Sequence, residues 1–516
     1  MPYDYKPFDY VAPPGLNAPE PRHPVVIVGA GPIGLAVALD LAGYGIRSVI
    51  LDDNNVVSVG SRAICWSKRS LEILDRLGIG DRCVEKGVIW NVGRTLHKDK
   101  EVFNFDLLPD EGYKMPAFVN LQQYYVEEYL VESCLANELI ELRFKNKVTD
   151  ILQDAEGVAV KIETPDGDYT LSGEYLLACD GAKSPIRHNM GLDFEGELFE
   201  EKFLICDLSF TEDFPSERRF WFEPPFHTGQ TALLHKQADS TYRIDLQLGW
   251  DADVEQEKKL ENVRPRIAEF LGHDRFEVEW LSIYTFQCRR LERFVHDRVI
   301  FVGDSAHIVS PFGARGGNGG LQDVDALGWR LAAVLNRTAP AGLLERYNAE
   351  RIQGADENIL NSARSTRFMS PSDGAERWFR DATLALASHT EFARPMVNSG
   401  RLSAPCRYSV RGNDDPALPQ ASAPGWVAPD APFENDWLLS RLGGEMLLLA
   451  INQAAPDCGI KTLAIDANQE IAARYLGEAD AAVYLIRPDQ VVAARWQSAD
   501  AREVEATVRK IWEGAL

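Results

Sequence analysis

The sequence predicts an α/β fold in which a parallel-stranded domain is interrupted by an antiparallel β-sheet and followed by a smaller C-terminal domain. Three observations carry this reading. Residues 25–34 and 299–307, almost three hundred positions apart, each run from a short apolar strand into a glycine turn. Between them, from about 196 to 290, apolar and polar residues alternate with the period of two expected of half-buried strands. Around 396–435 the composition shifts to Pro, Ala, Ser, Gly and Asp, which reads as a linker, before apolar segments resume.

In chain order, residues 1–22 are Pro-rich and lack a charged stretch followed by an apolar one, so they read as an irregular arm rather than a signal peptide. Val25-Val26-Ile27-Val28 is a β-branched strand leading into Gly29-Ala30-Gly31-Pro32-Ile33-Gly34, and residues 35–41 continue in a helical pattern. Glycines at this spacing let the backbone approach a pyrophosphate held at the helix N-terminus. Eighteen residues after Gly34, the strand Arg47-Ser48-Val49-Ile50-Leu51 ends in Asp52, whose carboxylate can accept a hydrogen bond from a ribose 2′-OH. A glycine turn alone would be only a tight turn. Strand, helix and acidic terminus together make a βαβ dinucleotide unit.

A helix over 67–77, closed by Gly78, and an amphipathic helix over 124–135 follow. Strands are expected at about 141–151, 157–163 and 168–171, with a turn at Pro165-Asp166-Gly167. The strand Tyr175-Leu176-Leu177-Ala178-Cys179 delivers Asp180-Gly181, with Ser184 and Arg187 as the nearby polar groups. In the alternating region, Tyr242, Ile244, Leu246 and Leu248 share one face and Arg243, Asp245 and Gln247 the other. That polar face suits either a ligand-facing surface or a solvated exterior. Gly303-Asp304, followed by Pro311, Gly313, Gly316, Gly317, Asn318, Gly319 and Gly320, forms a second anion-tolerant loop running into a helix at 323–335. A nicotinamide dinucleotide needs no second loop so far downstream. An extended FAD does: one loop for its pyrophosphate and one for ribityl and isoalloxazine.

Gly29-Ala30-Gly31-Pro32-Ile33-Gly34, Cys179-Asp180-Gly181-Ala182-Lys183-Ser184-Pro185-Ile186-Arg187 and Gly303-Asp304-Ser305-Ala306-His307 match, in order and spacing, the three fingerprints of single-component FAD-dependent aromatic hydroxylases. Over about residues 23–370 the chain resembles this p-hydroxybenzoate and phenol hydroxylase group, and within it the 3-(3-hydroxyphenyl)propionate hydroxylase-like and pentachlorophenol monooxygenase-like members. The resemblance implies a FAD-binding Rossmann-like domain (23–195 and 291–395), an inserted antiparallel β-sheet substrate domain (196–290), a linker (396–435) and a thioredoxin-like C-terminal domain (436–516). The last lacks the CxxC that redox work demands, and so is expected to be structural or dimer-forming.

The resemblance further implies non-covalent FAD contacted by Gly29, Gly31, Gly34, Asp52, Arg62, Gln123, Asp180, Gly181, Arg187, Gly303, Asp304, Pro311, Gly316 and Asn318. Gln122 leaves the glutamine's register open by one. NADPH or NADH is the implied co-substrate, meeting the flavin near Asp180-Gly181. The implied reaction hydroxylates a phenolic compound ortho or para to its OH with O2, through a flavin C4a-hydroperoxide. A base that deprotonates the phenol makes the ring more nucleophilic. Arg243, Asp245 and Tyr284 are the catalytic candidates and Gln247 and His227 the substrate-binding ones, with no local motif choosing the base among Asp245, Tyr284 and His227. The alternative is a FAD-holding oxidoreductase without oxygenase activity, or a flavin-binding scaffold.

Composition sets the outer bounds. A chain of 516 residues with 45% hydrophobic content can bury two or three domain cores. Its 54 Lys+Arg against 78 Asp+Glu, net −24, argue against nucleic acid or an anionic membrane as partner. No apolar run approaches the roughly 20 residues that span a bilayer. Eight scattered cysteines without zinc-ligand spacing read as buried thiols in a reducing compartment, which points to the cytoplasm and to no metal, while the resemblance implies a homodimer. His307 is expected to cap backbone in the flavin loop rather than to ligate a metal.

Overall fold

The computed structural model describes residues 3–108, 111–249, 251–371, 374–397, 404–410 and 412–513. Its first sheet is built on five parallel strands in the order Ile140–Arg143, Ser48–Leu51, His23–Val28, Gly167–Ala178 and Val299–Phe301. Strands buried on both faces must be apolar throughout, and Val25, Val26, Ile27, Val49, Ile50, Leu176, Leu177, Val299 and Ile300 are all fully buried. The two strands expected at 168–171 and 175–179 are one strand, Gly167–Ala178. Its first half pairs with the meander Lys147–Gln153 and Val158–Thr164, and its second half lies inside the parallel sheet.

Helix Pro32–Gly43 starts with proline at its first position, where no N–H is needed, and packs on this sheet. Helix Gly316–Leu335 crosses it closely: a Cβ on Gly328 would lie 1.8 Å from the Asp40 carboxylate. This second helix begins seven residues before the expected position, inside the glycine run. A Cβ at Gly320 would meet Ile33 at 2.6 Å, so tight packing rather than loop formation explains that glycine, whereas one at Gly317 would make only ordinary contact with Ala63, at 3.4 Å.

The second sheet has eight strands in the order His307–Ile308, Glu277–Arg290, Glu195–Ser209, Thr241–Leu248, Thr231–Lys236, Arg218–Phe222, Val92–His97 and Lys100–Asp106. It draws its last two strands from the segment before residue 195, and Arg218–Phe222 pairs with Val92–His97 in parallel. Helix Leu260–Leu271, which strict alternation did not foresee, covers the outer face, where Tyr242, Ile244, Leu246 and Leu248 pack with Val263 and Ile267. The opposite, polar face therefore turns inward toward the first domain.

The C-terminal unit is a four-stranded sheet in the order Lys461–Ile465, Leu447–Ile451, Ala482–Ile486 and Val492–Trp496. Only the first pair is parallel, as in a thioredoxin-like core, and helix Ala501–Trp512 follows. A buried polar network docks this unit on the first domain. Arg487 donates to both Glu350 oxygens at 2.8 and 2.9 Å, Arg330 donates to Glu350 at 2.7 Å, and the Trp329 indole N–H donates to Asp489 at 3.1 Å. Arg69 joins it through Asp325 at 2.6 Å and the Asp489 carbonyl at 3.0 Å. Desolvation offsets much of the attraction in such pairs, so their main contribution is to fix geometry.

Candidate flavin and substrate site

The three fingerprints lie side by side at the C-terminal ends of adjacent parallel strands, where open α/β sheets place ligands. Backbone bonds stitch them together: Cys179 N–H to the Val28 carbonyl at 2.8 Å and Val302 N–H to the Ala178 carbonyl at 3.1 Å. The glycines divide by environment. Gly29, at φ 106°, has no room for a Cβ, which would lie 2.5 Å from the Cys179 carbonyl oxygen, and one on Gly34 would lie 1.9 Å from that of Gly29. At Gly31 a Cβ would meet nothing within 4 Å. Gly31 also caps helix Pro32–Gly43 without any side-chain cap. The helix start is thus left without a side-chain cap, with open space beside Gly31 and a partial positive charge, the setting a phosphate requires.

Asp52, expected to meet a ribose hydroxyl, is engaged by the backbone of the glycine turn. One oxygen accepts the Ala30 N–H at 2.6 Å and the other the Asn54 N–H at 2.8 Å, so the carboxylate holds the glycine turn while keeping lone pairs for a hydroxyl. Asp304 is solvent-exposed, yet burial by surrounding protein raises its pKa, with His307 and Arg62 opposing. A carboxylate both accessible and enclosed lines a groove. Arg62 is exposed in the same groove, 242 positions earlier in the chain. Asp304→Ala is expected to leave a folded protein with weakened FAD retention, since losing a hydrogen bond of this kind costs about 1–3 kcal/mol. Flavin absorbance after gel filtration measures it, and full occupancy would remove Asp304 from the contacts.

Several other residues assigned to the cofactor brace the groove instead of opening onto it. His307 does not cap backbone as expected; its Nε2 meets Asp323 at 2.6 Å, and Asp323 also accepts the Gly303 N–H at 3.0 Å and the Arg351 guanidinium. Arg187 is buried, donates to the carbonyls of Ala182 at 2.7 Å and Ser305 at 3.2 Å, and stacks on Phe194, clamping the second fingerprint to the third. Gln123 accepts the Ala63 N–H at 3.0 Å and donates to Glu127 at 2.7 Å, supporting the loop that carries Arg62, while the Gln122 side chain is turned to the Ala238 carbonyl. The Asn318 side chain accepts from Ser67 and donates to the carbonyls of Cys65 and Ala314. A Cβ on Gly181, at φ 78°, would meet nothing within 4 Å, and Pro311 is exposed. Gly316 opens its helix with only Val309 near, at 3.9 Å.

Strand register defines the roof of the site. Cross-strand neighbours share a face, so Asp207, Ile205 and Phe203 lie with Arg243, Asp245 and Gln247, and Trp280, Ser282 and Tyr284 lie beyond them. On the other side come His235 and Leu233, then Phe220 and Phe222. Three side chains assigned to substrate are engaged elsewhere. Arg243 forms a two-point pair with Asp207, at 2.7 and 2.8 Å, and grips the carbonyls of Ser61 and Arg62. Gln247 is saturated by Thr231, Glu201 and Ser370. His227 bonds the Gln247 carbonyl, with Arg266 and Glu257 for charged neighbours, near the outer helix. Asp245 differs from all three. It is half-buried, one oxygen has no partner, and burial pushes its pKa up to about 6. Tyr284 packs against Phe203 and Phe312, with no hydrogen bond to its hydroxyl among the described residues.

Below the roof is a cavity of about 220 Å³ walled by Phe105, Phe220, Phe222, Phe312, Phe368 and Met369. Arg94, Arg218, Arg315 and Arg364 also line it, and among the described residues no carboxylate does. Sequence reasoning missed all four arginines. The alternation of Arg218-Arg219-Phe220-Trp221-Phe222 held the signal, because Arg218 shares its face with Phe220 and Phe222. Among the described residues no group of three or more His, Cys, Asp or Glu could hold a metal ion, and no helix is long and apolar enough to cross a membrane.

Residues 22–362 match the model of a family described as "FAD binding domain". A 12-dehydrotetracycline 5-monooxygenase/anhydrotetracycline 6-monooxygenase of Streptomyces rimosus is 31% identical over 80% of this chain and 81% of its own. A 3-(3-hydroxy-phenyl)propionate/3-hydroxycinnamic acid hydroxylase of Mycolicibacterium smegmatis is 28% identical over 74% of this chain and 68% of its own. In fold, the chain superposes on the flavin-dependent monooxygenase PieE, solved with FAD and substrate, with a TM-score of 0.79 at 23% identity, covering 96% of this chain and all of that one. Fingerprints, groove and relatives agree: the chain belongs to the FAD-binding-domain family, in its branch of FAD-dependent monooxygenases.

Proposed function

We propose that the protein uses NADPH or NADH and O2 to hydroxylate a phenolic aromatic compound ortho or para to its OH. One observation carries the reading: Asp245 presents an unpartnered carboxylate oxygen on the inner face of the roof, on the side of an aromatic cavity and of the loop that carries Arg62. FAD, when bound, would supply the redox chemistry: two-electron exchange with the nicotinamide and the use of O2, one atom of which goes to the ring and the other to water. The chain supplies the setting. Phe220, Phe222, Phe312 and Phe368 offer ring faces and edges that hold a flat substrate and exclude water. Arg243, locked to Asp207, fixes the Ser61-Arg62 backbone beneath the roof. Asp245 can take the phenolic proton at its free oxygen, which raises electron density on the ring. The relatives' names span a one-ring acid and a four-ring polyketide, so an aromatic substrate is the common denominator.

Asp245 must be ionised to act as a base, so the fraction of NAD(P)H use that yields hydroxylated product is expected to fall as pH drops through about 6. In Asp245→Asn that fraction should be low and independent of pH, with hydrogen peroxide accounting for the remainder. General-base contributions are about 10²–10⁴-fold, so the change is readily resolved. The check is the product-to-peroxide ratio across pH 5–8 with a phenol panel. A parent protein that consumes NAD(P)H yet never hydroxylates any phenol would leave the alternative of a flavoprotein without oxygenase activity.

A further inference from the structure

The arginines around the cavity are not equivalent. Arg94 is paired with Glu217 at 2.6 Å and with Glu101 at 2.8 Å, and Arg315 donates to Asn358 at 3.0 Å. Arg364 is exposed at the rim. Arg218 differs from all three: it is half-buried, its Nε is shut from water without a partner, and its guanidinium makes no hydrogen bond or ion pair among the described residues. Asp245 acts on it through space without a hydrogen bond, and the Cys65 thiol, kept protonated by burial, lies close by.

A guanidinium is a planar fork of N–H donors that cannot be deprotonated in a protein, and leaving it unmatched in a low-dielectric site is costly. Other groups on the same face do not satisfy it. His235, directly across the strand pair, is held neutral by burial with Arg218 and Arg243 adding to the effect, and its Nδ1 faces the Cys65 sulfur at 3.8 Å. Phe220 and Phe222 are apolar. Arg218 therefore faces a pocket with rings on its walls and, among the described residues, four arginines and no acid in its lining.

We propose that Arg218 anchors an anionic substituent, a carboxylate or an acidic enolate, on the aromatic substrate, and so selects acidic phenols over neutral ones. This rests on the proposed function for the identity of the cavity as the substrate site. A two-point contact with the Arg218 fork would orient the ring within the phenylalanine walls, with its other end toward Asp245. The anion supplies the countercharge that the chain withholds, so the same ring without it leaves the guanidinium unmatched. Such a site rejects the uncharged analogue more strongly than an apolar pocket can.

The test uses the FAD-loaded protein without any nicotinamide cofactor, so that binding is read apart from turnover. Matched probes are 3-(3-hydroxyphenyl)propanoate against its primary amide, and 1-hydroxyanthraquinone-2-carboxylate against its amide, titrated through the perturbation of the flavin's visible spectrum. In at least one pair, the carboxylate is expected to bind tenfold or more tightly than the amide. Arg218→Met should abolish that preference while leaving the amide's Kd within about twofold, and Arg218→Lys, which keeps charge but loses the fork, should retain part of it. The proposal is overturned if the parent shows no carboxylate preference in either pair, if neither pair perturbs the flavin, or if the preference survives in Arg218→Met. Should Arg218→Met not fold, Arg218→Lys decides alone: an undiminished preference overturns the proposal. A protein that shows the preference but never hydroxylates would refute the oxygenase reading and leave the anion site standing.

Discussion

Asp323→Ala is expected to destabilise the protein by about 3–5 kcal/mol and to empty it of FAD, because it removes the single acceptor that three buried donors share. Asp323 is fully buried, and the Gly303 N–H, His307 and Arg351 all converge on it. Removing it leaves Arg351 with only the Tyr408 hydroxyl and the Gly319 carbonyl, and frees the Gly303 turn that presents Asp304. Burial acts to raise the Asp323 pKa, but His307 and Arg351 outweigh it and hold the carboxyl below its ordinary value. For a carboxylate depressed in the folded state, the stabilisation is complete above the unfolded pKa near 4 and is lost as pH falls through the lower folded value. Denaturant unfolding at pH 7 should therefore show the full difference between parent and variant, shrinking toward strongly acidic pH. An unchanged midpoint, or full flavin content, would mean the turn is held by something else.

The second large effect separates two glycines of one motif. Gly34→Ala should prevent flavin binding and cost about 3 kcal/mol or more, since the new Cβ would sit 1.9 Å from the Gly29 carbonyl oxygen and only backbone movement can relieve it. Gly31→Ala meets nothing in the protein, so the apoprotein should unfold at the parent's midpoint while FAD affinity drops. Measuring apoprotein stability and flavin affinity for both variants tests whether Gly31 marks the face where phosphate lies. Equal behaviour of the two would show that packing alone explains the motif.

Much of the first domain is legible because its signals are local. Four β-branched or apolar residues before a glycine turn describe a buried parallel strand and its exit, and strand His23–Val28 and helix Pro32–Gly43 follow from them. Glycine statistics fail at Gly316–Leu335, where the run is helical and, at Gly320, Ile33 leaves no room for a side chain. Nothing near Val92–His97 announces that it pairs with Arg218–Phe222, more than a hundred positions later. The site is harder still. Alternation places Arg243, Asp245 and Gln247 on one face, but it cannot say that Asp207 neutralises the first, that Ser370, 123 positions on, occupies the third, or that only Asp245 keeps an open oxygen. Arg218 was visible as a letter in a strand. Its lack of partners is a property of everything that failed to arrive beside it.

The docking of the C-terminal unit bears on the order in which the molecule can be made. Helix Gly316–Leu335 meets the flavin groove at one end, while at the other its Trp329 bonds an aspartate 160 positions downstream. Domains emerging from the ribosome generally settle N-terminal first, yet here the groove is complete in sequence long before its far support exists. Arg487 and Asp489 reach Glu350 and Trp329 only after 137 and 160 further residues have been made. Firm bracing of the groove thus follows the making of its fingerprints, and a chain stopped before residue 487 carries every nucleotide-binding fingerprint without the strut that steadies them.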